Sequence, residues 1–528
     1  MSTKNRKILA IIPARGGSKR IPLKNIKEFC NRPMISWPIE VLKASNYVTD
    51  ILVSTESKRI QQIAEDWGAS APFLRPKELA DDQTGTKEVI KHATEWYVEN
   101  IKTPDLVLTI YPTAVFIEEE DIENAINLID ETGSSSIVAC KEYIYPIQRA
   151  VFINKDQKIE MFQPEFSLTR TQDCEPAYHD AAQLYLSTTK HILSDEDEFS
   201  STSSSMLIIP RHRAVDIDTP DDFEFAERLF QLQLSKQKMN RIAIGTVQFG
   251  MPYGIANQKG QVDYDTAQKI VSIAADNGID TYDTSISYGE SEECLGKIGM
   301  NNKFVITKLP QIPSGISDIP DWIFSQVKSS LSRLNVNKAY GLLLHDSSQI
   351  DELGFIFNNT FTDLKKDGLV EKIGLSAYTP EEISKASTLI NLDIVQVPFN
   401  VIDRRLIQSG WLNRLHNAGV EIHARSIFLQ GLLLLDKHQI PEPFQKWNDL
   451  WSSWHSWLDE NEVSPLAACL HYPLSIPQID KVIVGLDGIN HLEALINSFD
   501  QDNRPFIFPD LSCEDELLLN PSNWSTLQ

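Results

Sequence analysis

Cysteine is scarce and scattered in this sequence. The six present, at positions 30, 140, 174, 294, 469 and 513, form no CxxC pair and no regular period, which argues against a disulfide scaffold or a cysteine-ligated zinc site and fits a reducing cytosol. Long apolar runs are also lacking. No stretch approaches the roughly 20 apolar residues of a membrane span, and the run that follows the basic start MSTKNRK stops at Pro13, too short for a signal-peptide core. A cytoplasmic protein with no membrane attachment is expected. Positive charge is in deficit: 49 Lys and Arg against 73 Asp and Glu give a net charge of -24 at pH 7. Such a chain does not bind nucleic acid or anionic lipid in general, so any local cluster of cations is informative.

What is present is ordinary globular composition, 42% hydrophobic and 23% charged, over 528 residues, a length that suggests about two to four domains. KILAIIPA, DILVSTES and DLVLTIYP read as strands, while MISWPIEVLKAS, SKRIQQIAEDWG and TGTKEVIKHATEWYVEN carry helical periodicity. That alternation predicts an α/β domain with a mainly parallel sheet. LSDEDEFSSTSSS, residues 193–205, is polar and low in complexity and reads as a surface loop. The polar stretch LSKQKMN, following a helix-like segment, places a boundary near 232–240 and domains at 1–235 and 240–528. Beyond it come RIAIGTV, IDTYDTS, KFVITKL, AYGLLLH, KIGLSAY, DIVQVPF, EIHARSI and KVIVGL, separated by helix-length segments. Eight such units predict a C-terminal (β/α)8 TIM barrel. The tail FPDLSCEDELLLNPSNWSTLQ is expected to cap the barrel or to stay mobile.

In IIPARGGSKRIPLKN a strand-like run gives way to Arg15, Lys19, Arg20 and Lys24 around a Gly16-Gly17 pair. Polyphosphate binding needs close-approaching backbone N–H groups and several cations, and this loop offers both. The spacing is not GxxxxGK[ST], which excludes a P-loop; a solvated basic turn is the plain alternative. Asp216 and Asp218 stand at i and i+2 on the strand-like VDID, so both carboxylates face one side and can share a divalent cation with phosphate oxygens. A lone pair of this kind is commonly surface charge or helix capping. Together, loop and pair point to Mg²⁺-dependent nucleotidyl transfer.

Five blocks, IIPARGGSKRIPLKN, FLRPKELADDQTGTKEVIKH, YPIQRA, RTQDCEPAYHDAAQLY and VDIDTPDDFEFAE, occur in the order seen in acylneuraminate cytidylyltransferases, and residues 6–232 resemble most the pseudaminic acid branch of that family. The resemblance implies a nucleotide-diphospho-sugar-transferase-like fold that condenses CTP with a nine-carbon α-keto acid sugar, giving the CMP-sugar and pyrophosphate. It implies that Arg15, Gly16, Gly17, Ser18 and Lys24 hold the triphosphate, with Lys24 aiding catalysis, that Asn25 and Arg75 lie near the cytidine, and that Asp216 and Asp218 ligate Mg²⁺. Arg149 and Arg170 are candidates for the sugar carboxylate, and Tyr178, His179, Asp180 and Gln183 for its hydroxyl and N-acyl groups. A homodimer follows only by analogy. Two departures bear on the sugar. Tyr111 in IYPTAVF replaces a glutamine typical of the sialic acid branch, which disfavours N-acetylneuraminate, and Ala182 adds a methyl group where the pseudaminic branch commonly has glycine. Legionaminate, N-acetylneuraminate and 3-deoxyoctulosonate are the alternative sugars.

In the second half, Asp283 ends the second barrel strand, Tyr288 follows in SYGES, Lys308 ends the third strand and His345 the fourth. The C-terminal ends of neighbouring barrel strands converge on one mouth, so the four polar groups are expected together. This half resembles the aldo-keto reductases over residues 241 to about 500, through GLSAYTPEEI, VQVPFN, HARSIFLQGLLL and VIVGLDGINHLEALI. The resemblance implies that a small carbonyl substrate is reduced with NADPH or NADH. Tyr288 would be the general acid, Lys308 would depress its pKa, Asp283 would pair with Lys308, and His345 would orient the carbonyl. Ser376 and Gln396 match contacts to the nicotinamide amide, whereas Ala377 replaces the usual asparagine and VGLDGINHLEAL lacks a cation for a 2'-phosphate. The expectation is a bifunctional sugar enzyme; the alternative is a cytidylyltransferase with a non-catalytic, regulatory barrel.

Overall fold

Six strands build the first sheet: β1 (Ile8–Pro13), β2 (Val48–Ser54), β3 (Leu106–Ile110), β4 (Ser136–Glu142), β5 (Tyr178–Thr188) and β6 (Ser204–Ile208). The computed structural model describes residues 6–81, 84–194, 196, 203–254, 257, 259–501 and 506–527. The sheet order is β6-β4-β5-β3-β1-β2, parallel except that β5 runs antiparallel to both β3 and β4. Ile8 to Ile12 are at most 2% exposed, because a central strand covered on both faces is apolar throughout instead of alternating. The loop that follows β1 leaves the carboxyl edge of the sheet beside the point where strand order reverses, the usual ligand crevice of an open α/β sheet.

Eight further strands close a parallel barrel: β7 (Ile242–Gly245), β8 (Thr281–Asp283), β9 (Phe304–Leu309), β10 (Ala339–Leu344), β11 (Val370–Ser376), β12 (Ile394–Pro398), β13 (Glu421–Arg425) and β14 (Lys481–Gly485). They pair in sequence, with β14 returning to β7, so every sequence-predicted barrel strand is present. The chain divides into two compact units, Met1–Leu232 and Gln233–Gln528, each with its own buried core. The C-terminal tail is docked on the barrel: Leu518 and Leu519 are fully buried, and Cys513 N–H donates to Ile402 O at 2.9 Å.

Three local expectations change. Ser204 and Ser205 open β6 and do not belong to a surface loop; residues 195 and 197–202 of that segment lie outside the described residues. LSKQKMN is helical, within Pro220–Asn240. VDID joins no sheet, although its alternation survives: Ile217 is buried while Asp216 and Asp218 face outward. Among the described residues all six cysteines are free, and no helix is long and apolar enough to cross a membrane.

Candidate active sites

The glycine loop and the aspartate pair, some two hundred residues apart, meet through Lys24. Its ammonium donates to Ile217 O at 2.6 Å and to Asp218 Oδ1 at 3.2 Å, while Arg20 donates to Asp218 Oδ2 at 2.8 Å. The Asp216 carboxyl faces outward but is partly screened from water by the surrounding loops, and this desolvation, then the Asp218 charge, raises it above its ordinary value, with Lys24 and Lys141 opposing. Two mutually repelling carboxylates beside cations form an arrangement that a divalent ion relieves. Among the described residues no three His, Cys, Asp or Glu converge on a metal position, so an ion there would complete its shell with phosphate and water oxygens. The donor set fits Mg²⁺ on those terms.

Within the loop, Gly16 N–H donates to Glu56 Oε1 at 2.6 Å. A carboxylate therefore already occupies one amide of the turn, and its second oxygen is buried without a partner. A Cβ at Gly16 would stand 3.2 Å from Ser57 Cβ, whereas at Gly17 it would meet nothing within 4 Å; close packing explains the first glycine only. Asn25 is buried and donates to Arg15 O at 2.9 Å, holding the turn closed. Arg75 is buried beside the end of β2, where Nε donates to Ser54 Oγ at 3.2 Å and a terminal nitrogen to Ser54 O. Burial lowers its pKa, Glu56 opposes, and Arg15 adds to the lowering.

The residues expected around the sugar are unequal. Asp180 accepts from Ala182 N–H at 2.8 Å and from Tyr185 Oη at 2.5 Å, so its carboxylate holds a bulge in β5. Ala182 sits at φ 51°, a left-handed conformation that glycine adopts without strain. Gln183 is buried and donates to Arg213 O at 2.7 Å. His179 lies with its ring 4.6 Å from that of Tyr143, its Nδ1 3.0 Å from Asp180 O, and Tyr178 is half-buried beside it. Arg149 is exposed and donates to Thr171 Oγ1 at 3.2 Å; Arg170 is exposed, with no side-chain partner among the described residues. Glu56 and Lys141 carry no sequence signal of a role here, because only the fold brings them to the loop and to Asp216.

At the barrel mouth the four expected groups do converge. Lys308 and Asp283 are 1% and 4% exposed. The Lys308 ammonium donates to Asp283 Oδ1 at 2.8 Å, Asp283 Oδ2 at 2.7 Å and Thr284 O at 2.9 Å, and Gln396 Nε2 adds 2.8 Å to Asp283 Oδ1. Burial lowers the Lys308 pKa and Asp283 opposes that. The ammonium is 5.1 Å from the Tyr288 ring centroid, and the His345 ring lies 5.6 Å from Tyr288, near perpendicular. Burial, then the Lys308 charge, holds His345 down at about 4, so it is neutral at pH 7. Ser285 Oγ lies 3.1 Å from its Nδ1 and orients the ring.

Tyr288 is pushed up from its ordinary 10, by burial first and by Asp283 next; the cation that pulls it back is Arg425. Lys308 donates two hydrogen bonds to Asp283 and one to Thr284 O, which fixes its ammonium beside the phenol ring. Backbone packing fixes the Tyr288 loop: a Cβ at Gly250 would fall 1.7 Å from Tyr288 O, and Gly289 has φ 54° with Gly250 O 2.3 Å from where its own Cβ would stand.

A cavity of about 760 Å³ is lined by Tyr288, His345, Ser376 and Gln396 at one side and by Gly485, Leu486, Asp487 and His491 elsewhere. Its volume lies in the range of about 300–1,000 Å³ usual for ligand sites. Gly485 leaves room for Gln248, whose Nε2 would stand 2.9 Å from a Cβ there and whose buried Oε1 has no partner. These features fit a nicotinamide dinucleotide. Arg425, at the end of β13, also lines the cavity; it stands inside HARSIFLQGLLL, but nothing in that pattern marks it.

Residues 9–243 match the family model described as cytidylyltransferase, and residues 241–504 match the aldo/keto reductase family. A pseudaminic acid cytidylyltransferase from Campylobacter jejuni is 38% identical over 226 residues, 43% of this chain and 97% of the relative. A CMP-N,N'-diacetyllegionaminic acid synthase from Legionella pneumophila is 31% identical over 229 residues, 43% of this chain and 97% of the relative. Among solved structures, an aldo-keto reductase from Bacillus halodurans is 20% identical, covers 51% of this chain and 89% of its own, and has a TM-score of 0.43.

Proposed function

Since the chain belongs to the cytidylyltransferase family over residues 9–243 and to the aldo/keto reductase family over residues 241–504, we propose that it is a bifunctional enzyme joining CTP-dependent activation of pseudaminic acid to NAD(P)H-dependent carbonyl reduction. The observation that carries the first activity is Lys24, which ties the glycine turn to the aspartate pair. The sugar's anomeric hydroxyl attacks the α-phosphorus of CTP, the bond to the bridging oxygen of pyrophosphate breaks, and charge builds on the phosphoryl oxygens. Arg15, Lys24 and the N–H groups of Gly17 and Ser18 would meet that charge, and positioning with electrostatics would supply most of the acceleration. Mg²⁺, held by Asp216 and Asp218, would supply a Lewis acid at the same oxygens. The higher identity to the pseudaminic acid enzyme than to the legionaminic acid enzyme favours pseudaminic acid. Pyrophosphate release from CTP, measured across pseudaminate, legionaminate, N-acetylneuraminate and 3-deoxyoctulosonate, tests this: release should be fastest with pseudaminate, and release with none of them rejects the assignment.

For the barrel, the convergence of Tyr288, Lys308, Asp283 and His345 beside the cavity supports reduction. NADPH or NADH would supply the hydride. Tyr288 holds the proton for the carbonyl oxygen, and neutral His345, oriented by Ser285, donates a hydrogen bond to it. Lys259 brings its ammonium within 3.7 Å of where a Cβ on Gly488 would stand, a cation for a 2'-phosphate that the segment VGLDGINHLEAL itself lacks; NADPH is therefore the favoured nucleotide. A regulatory, non-catalytic barrel is the second reading, favoured by Ala377 in place of asparagine. Fluorescence titration separates the two, since failure to bind either NADPH or NADH selects the second.

A further inference from the structure

Arg425 is the cation in the reductase cavity that the proposed chemistry leaves without a task. Its three donor nitrogens are unequally engaged. One terminal nitrogen donates to Ala377 O at 3.1 Å, the other to Ser426 Oγ at 3.3 Å, and the guanidinium lies 4.2 Å over the Tyr378 ring. Nε is buried with no acceptor. No carboxylate among the described residues pairs with it, in a chain whose acidic residues outnumber its basic ones by 73 to 49.

A purely structural arginine would be expected to turn this N–H toward a carbonyl or a carboxylate. Here the backbone carbonyl, the serine and the aromatic face hold a guanidinium that lines the cavity, and each terminal nitrogen, with one N–H engaged, keeps a second N–H for an anion. Its charge reaches the reacting groups, for it lowers both Tyr288 and His345.

We propose that Arg425 anchors a carboxylate on the substrate, so that the barrel reduces carbonyl compounds that are themselves anions. This rests on the reductase reading and narrows it to a substrate class. In the reaction the carbonyl carbon accepts a hydride from the reduced nicotinamide, the C=O π bond breaks, and the oxygen takes the Tyr288 proton, which solvent restores. The carboxylate stays unchanged on Arg425, and the products are a hydroxy acid and the oxidised nucleotide.

The test uses the full chain with succinate semialdehyde and its uncharged counterpart butanal, and with butyrate and butyramide as unreactive probes followed by saturation-transfer NMR. The kcat/KM ratio should favour succinate semialdehyde by about 10–100-fold, the range of one charge-assisted hydrogen bond. Arg425→Gln should bring the ratio near one, and Arg425→Lys should restore part of it. Butyrate should give saturation transfer that R425Q abolishes, and butyramide none. Should neither aldehyde be reduced while butyrate binding still depends on Arg425, the anion site stands and the reductase reading fails. A wild-type ratio near one, absence of butyrate binding, or R425Q weakening NADPH binding without altering the aldehyde ratio would each overturn the proposal; the last would assign the guanidinium to a nucleotide phosphate. Circular dichroism of R425Q confirms that the barrel is folded.

Discussion

The two sites use charge in opposite ways. Around the glycine turn the partners are solvated: the side chains of Arg20 and Asp218 are 66% and 50% exposed, and they hold one another where a nucleotide and a metal ion would take them over. At the barrel mouth Lys308 and Asp283 are 1% and 6% exposed by side chain, fully bonded, and fixed before any substrate arrives. An exposed ion pair contributes little to stability and is free to exchange partners; a buried one is rigid and strongly destabilising when broken. On the proposed functions, the first site would bind and release a polyanion through exchangeable pairs, and the second would hold a fixed pair beside a proton donor.

Breaking one pair of each kind sharpens the contrast most. Lys308→Met leaves Asp283 buried and uncompensated and should cost the barrel about 3–5 kcal/mol, seen as a lowered barrel transition in calorimetry together with loss of reduction. Arg20→Ala should change stability by less than about 1 kcal/mol. Equal effects would mean that burial does not distinguish the sites.

Backbone fit at the Tyr288 loop comes next. Gly250→Ala puts a Cβ 1.7 Å from Tyr288 O, so the phenol must shift, and a displacement of about 1 Å should lower kcat for reduction on the order of 100-fold. Pyrophosphate release, which uses the other unit's residues, serves as the control and should be unchanged.

A pH effect is smaller and has a definite sign. Folded His345 titrates at about 4 against an ordinary 6.5, so between these values the unfolded chain binds more protons than the folded one. Barrel stability should fall as pH drops through that window, and His345→Gln should flatten the dependence in urea titrations at pH 4.5 and pH 7. The smallest effect expected is Ala182→Gly. Relief of the φ 51° strain is worth up to about 1 kcal/mol, and the substitution should leave the first unit's melting temperature unchanged or slightly raised.

The same contrast separates what is legible in the amino-acid order from what is not. The barrel's eight strands are legible because each is a short apolar run between helix-length segments, and its tetrad because Asp283, Lys308 and His345 stand at or next to strand ends and Tyr288 in the loop that follows one. The first sheet is only partly legible. β5 carries a bulge at Ala182 and runs against its neighbours, so AYHDAAQLY reads as a polar block and not as a strand; β6 begins inside a serine-rich run. Glu56, Lys141, Ser285 and Arg425 give no signal, because each acts through a partner that only the fold supplies.

The central claim is that the glycine turn and the aspartate pair form one metal-dependent CTP site. The most direct measurement is calorimetric titration of CTP into the full chain with Mg²⁺, with chelator, and with Asp216→Asn. Affinity should fall at least about tenfold on chelation, the scale of one lost charge-assisted contact, and the variant should lose the metal dependence. Equal affinity under all three conditions would contradict a shared site.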